Sequence, residues 1–328
     1  MIASNVWQPG MTADDGTARR SSAAAREIME NGGDRVNRRR ASSLLQQTVY
    51  VGPALLFFAV TIIVPFAMGM YYSFTDWNGV SGTVTWVGLD NFKRIFTDDR
   101  AFADSFWFTA RFTAVGVVLT NLVGFFLAYF LTKNIKGRNW LRTIFFMPNV
   151  IGGLLLGFIF QFIFIKGFAT LGEVTGLAFF QLPWLGDEIT GFWAIILVFV
   201  WHSSGYLMVI YIASINNVSK EVLEAAEIDG ASRFQMLTSI IVPLIMPAVT
   251  ICLFLAISWS FKMFDLNLSL TKGGPFRSTE SLAMNVYNEA FLNNRYGLGT
   301  AKALIFFVVV SIITLIQVRL TKNKEVEA

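Results

Sequence analysis

The chain has 328 residues with 26 Lys and Arg against 22 Asp and Glu, so charged side chains make up 15% of it, where a soluble globular chain averages about 25%. Apolar mass takes their place: 54% of the residues are hydrophobic, 32 are Phe and 9 are Trp, and the mean hydropathy is +0.55. These numbers argue against an ordinary water-soluble domain, the small net charge of +4 argues against a nucleic-acid binder, and one cysteine (Cys252) with one histidine (His202) excludes a disulfide framework and a Cys-based or His-rich metal site.

In chain order, residues 1–46 are rich in Ser, Ala, Arg, Gly and Asn without apolar periodicity, and are expected to form a disordered tail. A helix needs about 20 mostly apolar residues to cross a bilayer core, because hydrocarbon offers backbone groups no partner. Six segments meet that length, approximately residues 49–73, 107–131, 144–165, 192–213, 245–264 and 301–320. They make residues 47–321 one all-α polytopic membrane domain, with residues 322–328 as a short C-terminal tail. Pro53 and Pro65 fall inside the first segment and predict a local bend. That segment begins too late and runs too long for a cleaved secretory signal. The first connection is rich in aspartate (Asp76, Asp90, Asp98, Asp99, Asp104), whereas the second has Lys133, Lys136, Arg138 and Arg142 and no acid from Thr132 to Thr143.

Lys and Arg near the crossings set orientation, since positive loops resist translocation. The N-terminal tail, the second and fourth connections and the C-terminal end carry sixteen of them; the first, third and fifth connections carry seven. Both termini are therefore expected in the cytoplasm, and an even number of crossings independently requires them on one side. The fourth connection, about residues 216–242, breaks this pattern by carrying more acid than base. Ser219 is a suitable N-cap for a short amphipathic helix through Glu221, Val222, Leu223, Glu224, Ala226 and Glu227, ending at Asp229-Gly230, where glycine accepts the left-handed conformation. A second helical stretch runs from Ser232 towards Ile241 and leads into Pro243.

Glu224-Ala225-Ala226, then Gly230, Ile240 and Val242-Pro243 at their fixed offsets, resemble the EAA signature of binding-protein-dependent ABC importer permeases, with Val242 where leucine is usual. Tyr72 to Asn78 after Pro65, Val87-Gly88-Leu89-Asp90-Asn91-Phe92, and Leu270-Thr271-Lys272-Gly273-Gly274-Pro275 resemble the carbohydrate-uptake members. The resemblance spans about residues 47–320. It implies the type I ABC importer permease architecture, in the cytoplasmic membrane of a prokaryote. It also implies a second related, non-identical permease, two ATPase subunits and an extracytoplasmic sugar-binding protein as partners. Glu224, Ala225, Ala226, Asp229 and Gly230 would dock the ATPase. The chain has no Gly-Lys dipeptide and so no phosphate-binding P-loop; ATP would be used by the partner, and no cofactor is expected on this chain.

Sugars are recognised by hydroxyl hydrogen bonds and aromatic faces, which directs attention to polar and aromatic residues at membrane depth. Residues 201–206 in the fourth crossing, the stretch from Ser258 to Asp265 in the fifth and Asn121 in the second stand out. The resemblance to maltose-type members, counted from the EAA loop and the glycine-glycine-proline turn, implies that His202, Ser203, Tyr206, Ser260 and Met263 lie at positions comparable to sugar contacts; with Asn121 they are the candidates for a substrate pathway. Two of these places have a plainer role: Ser203, with Ser204 and Gly205, permits close helix packing, and His202 serves as a neutral, hydrogen-bonded packing residue. Lys262 with Asp265 reads as an interfacial pair, and Arg111 and Lys302 as snorkelling cations. A secondary transporter driven by an ion gradient is the alternative, and it would bring repeated halves and a mid-membrane carboxylate; neither is evident. An intramembrane enzyme would need paired catalytic groups that the sequence lacks.

Overall fold

The computed structural model describes residues 49–322, and the expected tail over residues 1–46 lies outside them. The described residues divide into two units, one ending at Met68 and one beginning at Gly69. Among the described residues five helices are long and apolar enough to cross a membrane, and a bent pair, taken as one span, brings the number to six. The first, α1 (Val49–Tyr72), widens into a π turn at Ala59–Ile63 just ahead of Pro65. Proline has no N–H to donate back into the helix, and the wider turn accommodates that missing bond without ending the span.

In the second unit the short α2 (Asp90–Thr97) leads into α3 (Arg100–Thr132), whose N-terminus is capped by the Asp99 carboxylate accepting from the Phe102 amide. After α4 (Arg138–Phe146) come α5 (Gly153–Thr175) and α6 (Glu188–Asn216). The third crossing corrects the sequence reading. Residues 144–165 are not one helix: Pro148 and Gly152 break them, with Ile151 and Gly152 extended, and the span starts at Gly153 and runs ten residues further. Hydropathy over that window cannot register such a break, because Met147, Val150 and Ile151 keep it apolar.

The hairpin between the fourth and fifth crossings consists of α7 (Lys220–Ile228) and α8 (Arg233–Leu244). A bend of 73° then separates α8 from α9 (Met246–Phe261). Pro243 and Pro247 flank the bend, and a π turn at Met236–Ile241 precedes Pro243 as one precedes Pro65. The chain continues through α10 (Asp265–Leu270), α11 (Leu282–Tyr287, prolonged by a π turn over Asn288–Leu292) and α12 (Tyr296–Lys322).

Close helix approach is made by small residues. Gly116 lies against Phe199 and Gly124 against Leu207 and the Ser204 carbonyl, which brings α3 onto α6. Gly153 and Gly157, four apart, bring α5 onto Asp265 and Ser269 of α10, so close that a Cβ at Gly157 would overlap the Ser269 hydroxyl. The core has two main parts. One is aromatic, with Phe108, Phe112, Phe164, Trp184 and Phe199; the other gathers Ala128, Leu207, Met208, Tyr211, Cys252 and Ala256 where α3, α6 and α9 meet.

The charged residues near the span ends away from the hairpin depart most from expectation. Lys302 does not snorkel. It is fully buried, with its Nζ 2.7 Å from Asp99 Oδ2, 2.7 Å from Glu289 Oε2 and 3.1 Å from Asn285 Oδ1. One lysine thus joins α12 to the N-cap of α3 and to the segment after α11. Nearby, Glu280 is buried and accepts from Arg277 and Asn288, and that carboxylate raises the Arg277 guanidinium above its usual range. Lys262 and Asp265 form no ion pair among the described residues, because the helix ends between them. Arg111 donates through Nε to the Trp107 carbonyl of its own helix at 3.3 Å.

Replacing Lys302 by Met would leave two carboxylates in a buried site without a counter-charge, a loss of about 3–5 kcal/mol. Thermal unfolding of the purified protein should show a large drop for Lys302→Met, and a much smaller one for Asp99→Asn, which keeps an acceptor oxygen at the same place.

Candidate functional site

The hairpin after α6 is built as a protrusion. Ser219 occupies the N-cap of α7, although its hydroxyl makes no capping bond; the true capping box is Ser232 with Gln235, which opens α8 and was not among the sequence signals. Asp229 closes α7 and Gly230 reverses the chain at φ +79°. The Gly230 amide donates to the Glu227 carbonyl at 3.1 Å. Space around Gly230 is open, so the requirement for glycine there is conformational and not steric.

Of the five expected docking residues, Glu224, Ala225, Asp229 and Gly230 are exposed, while Ala226 faces inward and is buried. No ion pair holds Glu221, Glu224, Glu227 or Asp229 among the described residues. Two apolar neighbours also stand out: Ile228 is 86% exposed and Phe234 73% exposed. Sequence reasoning did not single them out, although an isoleucine and a phenylalanine flanking a Gly-Ala-Ser turn were the available signal.

The polar stretch of α6 is arranged differently. His202 Nε2 lies 3.2 Å from the Ile151 carbonyl, so the Nε2–H tautomer donates to a backbone acceptor freed by the break before α5. Ser203 and Ser204 are buried. Gly205 sits directly against the Phe145 carbonyl, where a Cβ would overlap it. Tyr206 is half-exposed, between Phe146 (ring centroids 6.4 Å apart) and Trp259 (5.4 Å). Trp201, also half-exposed, meets Phe160 edge to face at 5.2 Å.

Ser260 is fully buried and donates to the Ala256 carbonyl at 2.8 Å, and Met263 is buried in the aromatic core. Asn121 accepts from the Tyr211 hydroxyl at 2.8 Å and donates to the Val117 carbonyl. The structure therefore brings Tyr206 and Trp259 together as an accessible aromatic pair, and places Ser260, Met263 and Asn121 within the packing between helices. At the other end of α3 and α6 from the hairpin, a cavity of about 600 Å³ is lined by charged and aromatic groups, among them Arg100, Asp104, Trp107, Arg111 and Glu188. Phe276, 95% exposed, stands at its rim. Among the described residues no group of His, Cys, Asp and Glu has the arrangement of a metal site.

A helical membrane body with an exposed acidic hairpin between two of its spans has close relatives. Residues 120–325 match the family described as binding-protein-dependent transport system inner membrane component. The chain belongs to this family. The permease is 44% identical to the probable starch degradation products transport system permease protein AmyD of Thermoanaerobacterium thermosulfurigenes, over 85% of its own length and 94% of that protein's. It is 34% identical to the multiple sugar-binding transport system permease protein MsmF of Streptococcus mutans, over 80% and 90%. The trehalose/maltose transport system permease protein MalF of Thermococcus litoralis is 30% identical over 81% and 90%. Its fold matches that of a crystallised bacterial ABC transporter involved in the import of the acidic polysaccharide alginate, with a TM-score of 0.75 at 19% identity over 87% of the permease and 99% of that chain.

Gly205 is where the break before α5 and the polar stretch of α6 meet. Gly205→Ala would force the Phe145 backbone away from α6 and cost about 1–3 kcal/mol. Gly124→Ala, whose Cβ would lie 3.1 Å from its neighbours, should be milder. Unfolding temperatures of the two purified variants against the parent measure the difference.

Proposed function

We propose that the permease is the translocating subunit of an ATP-driven importer for a sugar, an oligosaccharide by preference. An extracytoplasmic binding protein delivers the sugar, and a second, non-identical permease and two ATPase subunits complete the assembly in a prokaryotic cytoplasmic membrane with both termini of this chain inside. The observation that carries the reading is the hairpin: an acidic, exposed helix-turn-helix fixed directly between α6 and α9. Its small Ala225 permits close approach, Glu224 and Asp229 offer charge to a basic groove, and Ile228 and Phe234 supply apolar contact area. The sugar names of the relatives, together with the aromatic pair Tyr206 and Trp259, support a carbohydrate cargo. Of the candidate pathway residues, Tyr206 is the primary contact; His202, Ser203, Ser260, Met263 and Asn121 shape and hold the helices around it. ATP is bound and hydrolysed by the partner, and this chain needs no cofactor of its own.

Gly230→Pro fixes φ near −65° where +79° is required, and removes the amide that bonds to Glu227. The ATPase should co-purify with this variant at least about tenfold less, the equivalent of roughly 1.4 kcal/mol or more, while membrane insertion is retained. Normal co-purification would refute the docking role. Tyr206→Ala should lower sugar uptake by the reconstituted complex by on the order of tenfold with assembly unchanged. Proton-coupled uptake by this chain alone would instead establish a secondary transporter.

A further inference from the structure

The connection from α3 to α5 holds Lys133, Lys136, Arg138 and Arg142, with no acidic residue from Thr132 to Thr143. None of the four has an ion-pair partner among the described residues. Lys133, Lys136 and Arg138 are exposed. Arg142 donates through Nη2 to the Leu131 carbonyl at 2.8 Å, which fastens α4 to the C-terminal end of α3. Lys133 rests over the Tyr129 ring, its Nζ 4.4 Å from the centroid, and so stays at the end of that span.

The helix beside these cations is two-faced. Trp140 and Ile144 stand at i and i+4 on one side of α4, 77% and 52% exposed, and Met147, just past its end, is 58% exposed. The opposite contacts are made to α6: Phe146 stacks on Tyr206 and the Phe145 carbonyl abuts Gly205. An outward apolar stripe headed by tryptophan, flanked by uncompensated cations at the end of a membrane span, has the composition of a helix that begins in the lipid interface and faces lipid as it descends. Its apolar side enters the acyl boundary while the cations sit at the headgroups. Orientation signalling alone accounts for the number of cations. It does not account for the apolar stripe next to them or for the anchoring of α4 through Arg142.

We propose that α4 and the turn before it form a binding site for anionic phospholipid headgroups, held by Lys133, Lys136 and Arg138 with Trp140 inserted beside them. Because α4 packs on α6 at Gly205, next to Tyr206, a bound lipid steadies the part of α6 assigned to the substrate pathway. The lipid site itself stands on the membrane location of the chain and not on the sugar reading, so a binding measurement separates the two.

The test uses the assembled transporter in nanodiscs containing equal parts phosphatidylglycerol and phosphatidylcholine, with retained lipids read by native mass spectrometry after mild extraction. The parent should retain phosphatidylglycerol over phosphatidylcholine by about tenfold or more. Lys133→Gln with Lys136→Gln and Arg138→Gln should abolish the preference, and Lys133→Arg with Lys136→Arg should keep it. A photocrosslinking amino acid placed at position 140 should label lipid in the parent background, which requires no change of charge or topology. Equal retention of the two lipids by the parent, or crosslinking at position 140 to protein alone, would overturn the proposal. It would equally fall if inorganic phosphate erased the preference, pointing to a free anion, or if the Gln variant kept its lipid but lost the ATPase subunits, pointing to a protein interface.

Discussion

A backbone amide or carbonyl without a partner in hydrocarbon costs several kcal/mol, and this cost decides where the chain may stop being helical. Three of the interruptions among the described residues meet it in two ways. At Pro65 and Pro243 the helix widens into a π turn just ahead of the proline, so the ladder is shifted and not cut. Between Pro148 and Gly153 the helix stops, the segment is extended, and His202 from α6 donates to the Ile151 carbonyl. The single histidine is thus tied to a defect two elements away, and the close approach that allows it depends on Gly205 lying against Phe145. Break, histidine and glycine form one arrangement.

Charge is handled on the same principle at the span ends away from the hairpin. Lys302 is the only fully buried cation among the described residues. It is retained there because two carboxylates and an amide oxygen, from elements far apart in sequence, converge on its ammonium group. An ion set of this kind adds little net stability over an apolar substitute for the whole group. Its consequence is geometric. The N-cap of α3, the segment after α11 and the start of α12 cannot move apart without exposing a charge, so this end of the second unit behaves as one block.

The spans and the hairpin were legible in the sequence because each rests on a local signal. Runs of apolar residues mark α1, α3, α6 and α12, and Asp229-Gly230 marks the end of α7 through the conformational freedom of glycine. What escaped notice depends on contacts between distant residues. Lys302, judged by its position near a span end, reads as a snorkelling side chain; only the arrival of Asp99 and Glu289 makes it a core residue. Residues 144–165 read as one crossing by hydropathy, yet a proline and a glycine pair fix the break at Ile151-Gly152. Ser260 and Met263 have the residue types and depth of substrate contacts, but nothing in a linear pattern says which side of a helix faces a cavity. Tyr206 and Trp259, adjacent in space and 53 positions apart in the sequence, form an aromatic pair that only the fold reveals.

The bend of 73° between α8 and α9 gives the hairpin its mechanical meaning. A straight continuation would pass a push on the hairpin along the axis of the fifth crossing as a translation, which the close packing of Cys252 and Ala256 against α3 and α6 resists. With α8 set at a steep angle to α9, a push from an ATPase docked as proposed would act on the N-terminal end of α9 across the bend and not along the axis of the crossing. The opposite end of α9 carries Trp259 and Ser260, beside Tyr206. On the proposed docking role, a displacement at Glu224 and Gly230 would reach the Tyr206 and Trp259 pair through α9, whereas the ion set around Lys302 ties together the elements at the other end of α3.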